Sequence, residues 1–138
     1  MDAVICKSVL EHIADQAAFA RRLADALSPG GVLFLMAPDW TTCSYEFWDD
    51  PTHVRPVTLA SMERLGRITG LSLERLEYIQ QTPLLLTNRW MKALAEVYAL
   101  FVSQELASWL AKRTGNPWFR YAKQRVVLGV FRKTRGSS

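Results

Sequence analysis

The sequence predicts an α/β fold, and three observations carry that expectation. A short apolar run, Ala3-Val4-Ile5-Cys6, ends in polar Lys7-Ser8 and feeds a helical pattern. A second apolar run over 32–37 follows the turn Ser28-Pro29-Gly30-Gly31, and a third, over 126–131, lies near the end of the chain. Buried strand, polar turn, helix, glycine turn and buried strand is the order of a βαβ unit. In open α/β sheets ligands bind beyond the carboxyl ends of parallel strands, so chemistry is expected at 7–12 and 38–40.

Each element has a local cause. Asp15 is placed to cap a helix over 15–27, because its carboxylate can accept from free first-turn amides. Phe19, Leu23, Ala26 and Leu27 recur at helical spacing, and Pro29 with Gly30-Gly31 stops the helix. The 32–37 run is apolar on both faces, as a parallel sheet requires. Residues 38–58 read as one long connection rich in aromatics and acids, and loops of that length are often functional. Thr58 caps a further helix with Leu59, Met62, Leu65 and Ile68 inward, and Gly70 ends it. Residues 71–79 alternate in part and predict a strand. A connector over 80–88 contains Pro83.

Residues 88–112 read as one helix, about 37 Å long at 1.5 Å per residue. Its apolar face is broad, from Trp90 and Leu94 to Trp109 and Leu110, so it is expected to be largely covered. Thr114-Gly115-Asn116-Pro117 ends it. The last strand spans 126–131, and 136–138 is expected to be a frayed tail.

At 138 residues the chain is expected to be a single domain, and 49% apolar residues with five Trp exclude a disordered class. No apolar run reaches the roughly 20 residues needed to cross a bilayer. Asp2 is acidic where a signal peptide would be basic, and two cysteines, Cys6 and Cys43, do not make a disulfide framework. Cys6 lies inside a strand pattern and is expected to be a buried thiol. A cytoplasmic protein is therefore expected. The net charge of +4 is uneven, with no acidic residue after Glu105. That basic stretch, from Lys112 to Arg135, reads as a solvated face, or as a surface for an anionic partner.

Val9-Leu10-Glu11-His12, then Leu27-Ser28-Pro29-Gly30-Gly31 and an apolar strand, resemble the second half of a class I S-adenosylmethionine-dependent methyltransferase. The resemblance continues through Asp49-Asp50-Pro51-Thr52-His53-Val54-Arg55-Pro56 and covers roughly residues 1–76. It implies a partial Rossmann-like sheet holding the family's strands four, five, six and seven, with the seventh antiparallel between the fifth and sixth. Helices would lie on its faces, with a long helical insert over 88–112 before the last strand. The chain lacks the family's glycine-rich loop and the acidic residue that ends its second strand. Residues 1–138 are thus expected to be a single, N-terminally truncated methyltransferase domain. Its first strand would have an open edge, which is a liability in solution and predicts a partner chain or a homo-oligomer.

The resemblance assigns Lys7, Ser8, Leu10 and Glu11 to cofactor binding, with S-adenosylmethionine as cofactor, and makes His12 part of the catalytic pocket. Some methyltransferases of quinone precursors hold a divalent cation in a glutamate-x-x-glutamate-histidine turn. Ser8 stands at the first of those positions here, so no metal is expected. The plainer reading is that Glu11 favours a helix dipole and His12 bonds a neighbouring loop. His53 is the candidate general base, because His titrates near working pH, with Asp49 and Asp50 to orient it. Equally, Asp50-Pro51-Thr52-His53 is a turn that satisfies its own backbone. Arg55 would clamp an anionic acceptor, and Trp40 and Trp48, with Tyr45 and Phe47, would wall its pocket. Packing within a long loop explains the same aromatics.

The function expected is methyl transfer from S-adenosylmethionine to a small-molecule acceptor, with this chain as the acceptor-side half. The alternative is a non-catalytic remnant that pairs through its open edge and long apolar helix, or that rests on a membrane surface. Nucleic acid is not an expected partner.

Overall fold

The computed structural model describes residues 1–80 and 88–135, apart from the side chain of Tyr45. The connector's residues 81–87 and the tail 136–138 lie outside the described residues. The architecture is α/β, with a four-stranded sheet in the order β1-β2-β4-β3. The strands are β1 (Ala3–Lys7), β2 (Val32–Pro38), β3 (Ser72–Gln80) and β4 (Arg125–Arg132). β1 and β2 are parallel; β4 runs antiparallel between β2 and β3. This is the partial Rossmann-like order expected.

Helix α1 (Gln16–Asp25) makes the crossover from β1 to β2, and Asp15 caps it by accepting from the Ala18 amide at 2.9 Å. Helix α3 (Leu59–Thr69) begins in a reciprocal capping box between Thr58 and Ser61 and ends at Gly70 in the left-handed conformation. Both helices pack on one face of the sheet. There Leu33, Leu35, Ala37, Val127 and Phe131 meet Ala20, Ala24, Met62 and Leu65 in one core. Fully burying a side chain the size of leucine contributes roughly 1.5–3 kcal/mol, so this face holds the domain together.

The opposite face is less covered. Paired residues on neighbouring strands point to the same side, which places Ile5, Phe34 and Val130 together. Ile5 is 69% exposed, and Phe34 is half-buried. β2 is thus apolar on both faces, but only the helix side is fully buried. Among the described residues β1 pairs with β2 alone, so its other edge is open.

Three local expectations need correction. The 38–58 connection is not all loop: Asp39 caps a helix, α2 (Trp40–Phe47), kinked at Cys43. Glu11 and His12 do not start a helix. They lie in a separate 3₁₀ turn (Leu10–His12), closed by His12 N to Val9 O at 3.0 Å, and α1 begins only at Gln16. No helix dipole therefore acts at Glu11.

The single helix over 88–112 is two, α4 (Arg89–Phe101) and α5 (Gln104–Thr114). Val102 is extended, and Ser103 accepts from the Leu106 amide to start α5 afresh. Nor is that segment covered: Trp90, Leu100 and Phe101 are each at least 80% exposed. A short helix, α6 (Trp118–Tyr121), leads into β4. No helix among the described residues is long and apolar enough to cross a membrane.

Candidate functional site

The carboxyl ends of the parallel strands β1 and β2 meet the 49–56 loop. At the end of β1, Lys7 and Ser8 are exposed, and Ser8 takes φ +52°, a left-handed backbone rarely adopted by residues other than glycine. The 3₁₀ turn that follows is the anchor. Leu10 is wholly buried, and its carbonyl accepts from the Gln16 side-chain amide at 2.8 Å. The Glu11 carbonyl accepts from the amides of both Val54 and Arg55, at 2.9 and 3.1 Å, so the loop hangs from the turn.

The loop's own chemistry sets two imidazoles. Asp50 Oδ1 accepts from the amide and hydroxyl of Thr52, at 2.9 and 2.6 Å, which folds the loop into a tight turn. The Thr52 hydroxyl proton is committed to Asp50. The Thr52 carbonyl and hydroxyl oxygens, 3.2 and 2.9 Å from His12 Nδ1, therefore act as acceptors there. His53 Nδ1 likewise donates to the carbonyl of Phe47 at 2.6 Å. With both Nδ1 atoms carrying hydrogen, the neutral form of each ring has its lone pair at Nε2. The rings lie 4.8 Å apart, and Phe47 stacks on His53 at 4.4 Å.

The electrostatics are uneven. Glu11 is 1% exposed, and burial pushes its carboxyl above the ordinary range, against its own backbone amide and the two histidines. Asp50 is held below its ordinary range, chiefly by the Thr52 hydrogen bonds. Glu11 Oε1 stands 4.0 Å from His12 Nε2, and Asp50 Oδ2 stands 3.8 Å from His53 Nε2.

Beside His53 opens a cavity of about 350 Å³, lined by Glu46, Phe47, Asp50, His53, Arg120 and Arg125 among others. Arg125 also lines a second cavity of about 380 Å³ with Thr42, Gln104 and Lys123. In the first cavity's wall, Arg120 Nε pairs with Glu46 Oε2 at 3.6 Å, and Glu46 Oε1 has no hydrogen-bond partner among the described residues. That oxygen suits a polar ligand, because an unsatisfied buried polar atom is costly.

The structure brings Glu11, His12 and His53 together and leaves other candidates apart. The side chain of Leu10 belongs to the core, so the cofactor role expected of it is not one a side chain can play there. Trp40, Trp48 and Arg55 are not among the residues that line the cavity; Trp48 is 57% exposed and Arg55 is exposed. Of the aromatics expected to wall a pocket, Phe47 lines this one, together with Glu46, Arg120 and Arg125. The last two belong to the basic final stretch, whose reading as a solvated face hid them.

A family model described as a methyltransferase domain matches residues 1–116. No curated protein matches the chain. Among solved structures, Haemonchus contortus phosphoethanolamine N-methyltransferase 2 in complex with S-adenosyl-L-methionine is 19% identical, with a TM-score of 0.56. The match covers 97% of this chain and 33% of that one. A Haloferax volcanii complex pairs the Trm112 methyltransferase activator with a protein described as a methyltransferase. It matches at 14% identity and a TM-score of 0.65, covering 100% of this chain and 56% of that chain. The [4+2]-cyclase SpnF matches at 20% identity and a TM-score of 0.57, over 99% of this chain and 52% of that one. The chain thus spans between a third and just over half of the length of these structures. At such identities the likeness shows the fold.

Proposed function

The chain belongs to the methyltransferase-domain family, and on that premise we propose that it forms the acceptor side of an S-adenosylmethionine-dependent methyltransferase. The observation that supports this most is the position of His53. It stands at the end of the sheet where α/β proteins bind ligands, in the wall of a cavity large enough for a small polar acceptor.

S-adenosylmethionine, when bound, supplies a methyl group already activated on a sulfonium. The residues present fit its polar part at one place, the exposed Lys7-Ser8 turn. Strained backbone such as that at Ser8 gathers at ligand sites. Glu11 holds the 49–56 loop over that turn through its carbonyl.

The acceptor lies in the 350 Å³ cavity between Phe47 and Arg120, its polar groups meeting Glu46 and Arg120. His53 faces its nucleophile, with the His12 ring 4.8 Å from the His53 ring. Alignment of nucleophile and methyl group carries much of the rate, and the packing of Phe47 on His53 fixes that wall.

The rest of the cofactor site is contributed from beyond the open edge of β1, by a further segment or a second chain. The Haloferax volcanii assembly is an example of a methyltransferase-like fold working with a partner chain. The enzyme acts in the cytoplasm, a reading supported by its two buried, unpaired cysteines.

The test is calorimetric titration of the folded chain with S-adenosylhomocysteine, with its mass in solution measured alongside. Micromolar binding is expected from an assembly that completes the sheet. A folded sample that binds nothing, alone or as an oligomer, removes the claim for this chain by itself.

A further inference from the structure

We propose that Glu11, His12 and His53 form a binding site for a divalent first-row transition metal, with Zn²⁺ the best match to the donor set. One ligand-type atom from each residue lies within 4.8 Å of the other two. The sequence spacing gave no reason to expect this. Ser8 occupies the position where a ligand from the turn would fall, and the third donor arrives instead from His53, 41 positions beyond His12.

Four features favour a cation at this point. First, both imidazoles are held in the tautomer that metal binding needs. The Nδ1–H groups of His12 and His53 donate to backbone carbonyls, of Thr52 and Phe47, which leaves each Nε2 as a lone pair. Outer partners of that kind are what orient histidine ligands. Second, the lone pairs face carboxylates. His12 Nε2 and Glu11 Oε1 are 4.0 Å apart, and His53 Nε2 and Asp50 Oδ2 are 3.8 Å apart, too far for hydrogen bonds. In the neutral tautomer acceptor faces acceptor across a gap, an arrangement that a positive charge between them would satisfy.

Third, Glu11 is buried and one of its carboxylate oxygens, Oε2, has no hydrogen-bond partner among the described residues. An isolated buried carboxylate is costly unless it is paired or coordinates a metal. Fourth, the site is braced from both sides. The Glu11 carbonyl ties the 3₁₀ turn to Val54 and Arg55, and Thr52 ties His12 to the same loop.

Two imidazoles and one carboxylate suit Zn²⁺ and its first-row neighbours better than Mg²⁺ or Ca²⁺, which prefer oxygen ligands. Ligands about 2.1 Å from a tetrahedral centre stand about 3.4 Å apart. The cluster is therefore slightly wider than a loaded site, and modest side-chain rotations close it. Three protein ligands leave a fourth position for water or substrate, which is the pattern of catalytic zinc. His53 also lines the 350 Å³ cavity, so that position would fall at the cavity's edge, where a metal would polarise an acceptor oxygen. The metal site stands on its own geometry; only its part in methyl transfer rests on the function proposed above.

The experiment is calorimetric titration of the full chain with Zn²⁺, repeated with Co²⁺ to read the d–d absorption of a nitrogen- and oxygen-ligated ion. Binding at one ion per chain is expected. His12→Ala and His53→Ala are each expected to weaken it by more than the roughly 10–100-fold seen when outer-shell partners are lost. The Cys6→Ser and Cys43→Ser variants are expected to bind as the parent does. Circular dichroism confirms that each variant is folded, and Thr52→Val, which removes only the supporting hydroxyl, gives a milder loss if an alanine variant fails to fold. No binding by the folded parent overturns the proposal, as does affinity unchanged in the histidine variants or lost in a cysteine variant. Separate titration with S-adenosylhomocysteine tells its failure from that of the methyltransferase reading, because either ligand can bind without the other.

Discussion

Phe131 fills the space that a side chain at Gly66 would need. A Cβ built on Gly66 would stand 2.0 Å from Cε1 of the Phe131 ring, and one built on Gly129 would stand 2.6 Å from Cε2. The ring is wholly buried between α3 and β4, so it has nowhere to move. Gly66→Ala is therefore expected to destabilise the fold by about 3 kcal/mol, the upper part of the range for overpacked cores. Gly70→Ala meets nothing within 4 Å among the described residues and pays only for its left-handed backbone, φ +70°, so it should cost about 1–2 kcal/mol. Urea unfolding of the two variants checks the order; equal losses would mean that the α3–β4 contact yields to the added methyl group.

The two thiols should be inert in the folded protein. Cys43 is pushed up to about 12, first by burial and then by the charges of Asp39, Glu46 and Glu11. Cys6 is raised as well, by burial and then by Glu11. The thiolate is the reactive form, so alkylation by iodoacetamide at pH 8 should leave both cysteines unmodified until denaturant is added. Mass spectrometry of the native digest reads this directly, and rapid labelling of Cys43 would show that α2 opens.

The sheet was legible in the sequence because its signals are local. Asp15, Thr58 and Gly70 act on amides or carbonyls within a few residues of themselves, so cap and stop signals place α1 and α3 closely. The break at Val102 was hidden by a competing signal. Apolar residues continue at helical spacing straight through it, while Ser103 offers only a single capping hydroxyl. Helix α2 was hidden for the opposite reason, because its kink at Cys43 interrupts the periodicity.

The site was legible by residue type and not by contact. Glu11, His12 and His53 could each be singled out, but nothing local says that the Glu11 carbonyl receives Val54 and Arg55. Arg120 and Arg125 reach the same cavity across more than 60 residues, through the antiparallel return of β4. Aromatic type alone named Phe47 and Trp48 alike, whereas backbone geometry turned Phe47 inward and left Trp48 outside.

Acid should loosen the β3–β4 edge. Arg132 holds the exposed Glu74 below its ordinary range, through a hydrogen bond and then through charge. A carboxyl whose folded value is depressed adds stability that is present above its unfolded value and lost as pH falls through the folded one. The ordinary glutamate value here is 4.5. The parent should therefore exceed Glu74→Gln in melting temperature at neutral pH, and the gap should close below about pH 4. Salt should shrink it too, because both groups are exposed. Melting curves from pH 3 to 7 decide the matter; a gap that persists at pH 3 would assign the difference to packing.

Arg125 links the core to the cavity, and its removal should be felt in both. Asp39 is 0% exposed, and its carboxylate accepts from the Thr41 hydroxyl at 2.6 Å. The Arg125 guanidinium is the cation beside it, at 4.0 Å, and lies 4.3 Å over the ring of Tyr78. Arg125→Met keeps the stem's packing and removes the charge, leaving a buried carboxylate short of a partner. A loss of about 1–2 kcal/mol is expected. Arg125→Lys should recover only part of it, because an ammonium does not stack on Tyr78 as a planar guanidinium does. In a double-mutant cycle with Asp39→Asn the coupling should be about 1 kcal/mol. A coupling near zero would show that Arg125 is held by Tyr78 alone, with its charge turned to the two cavities it lines.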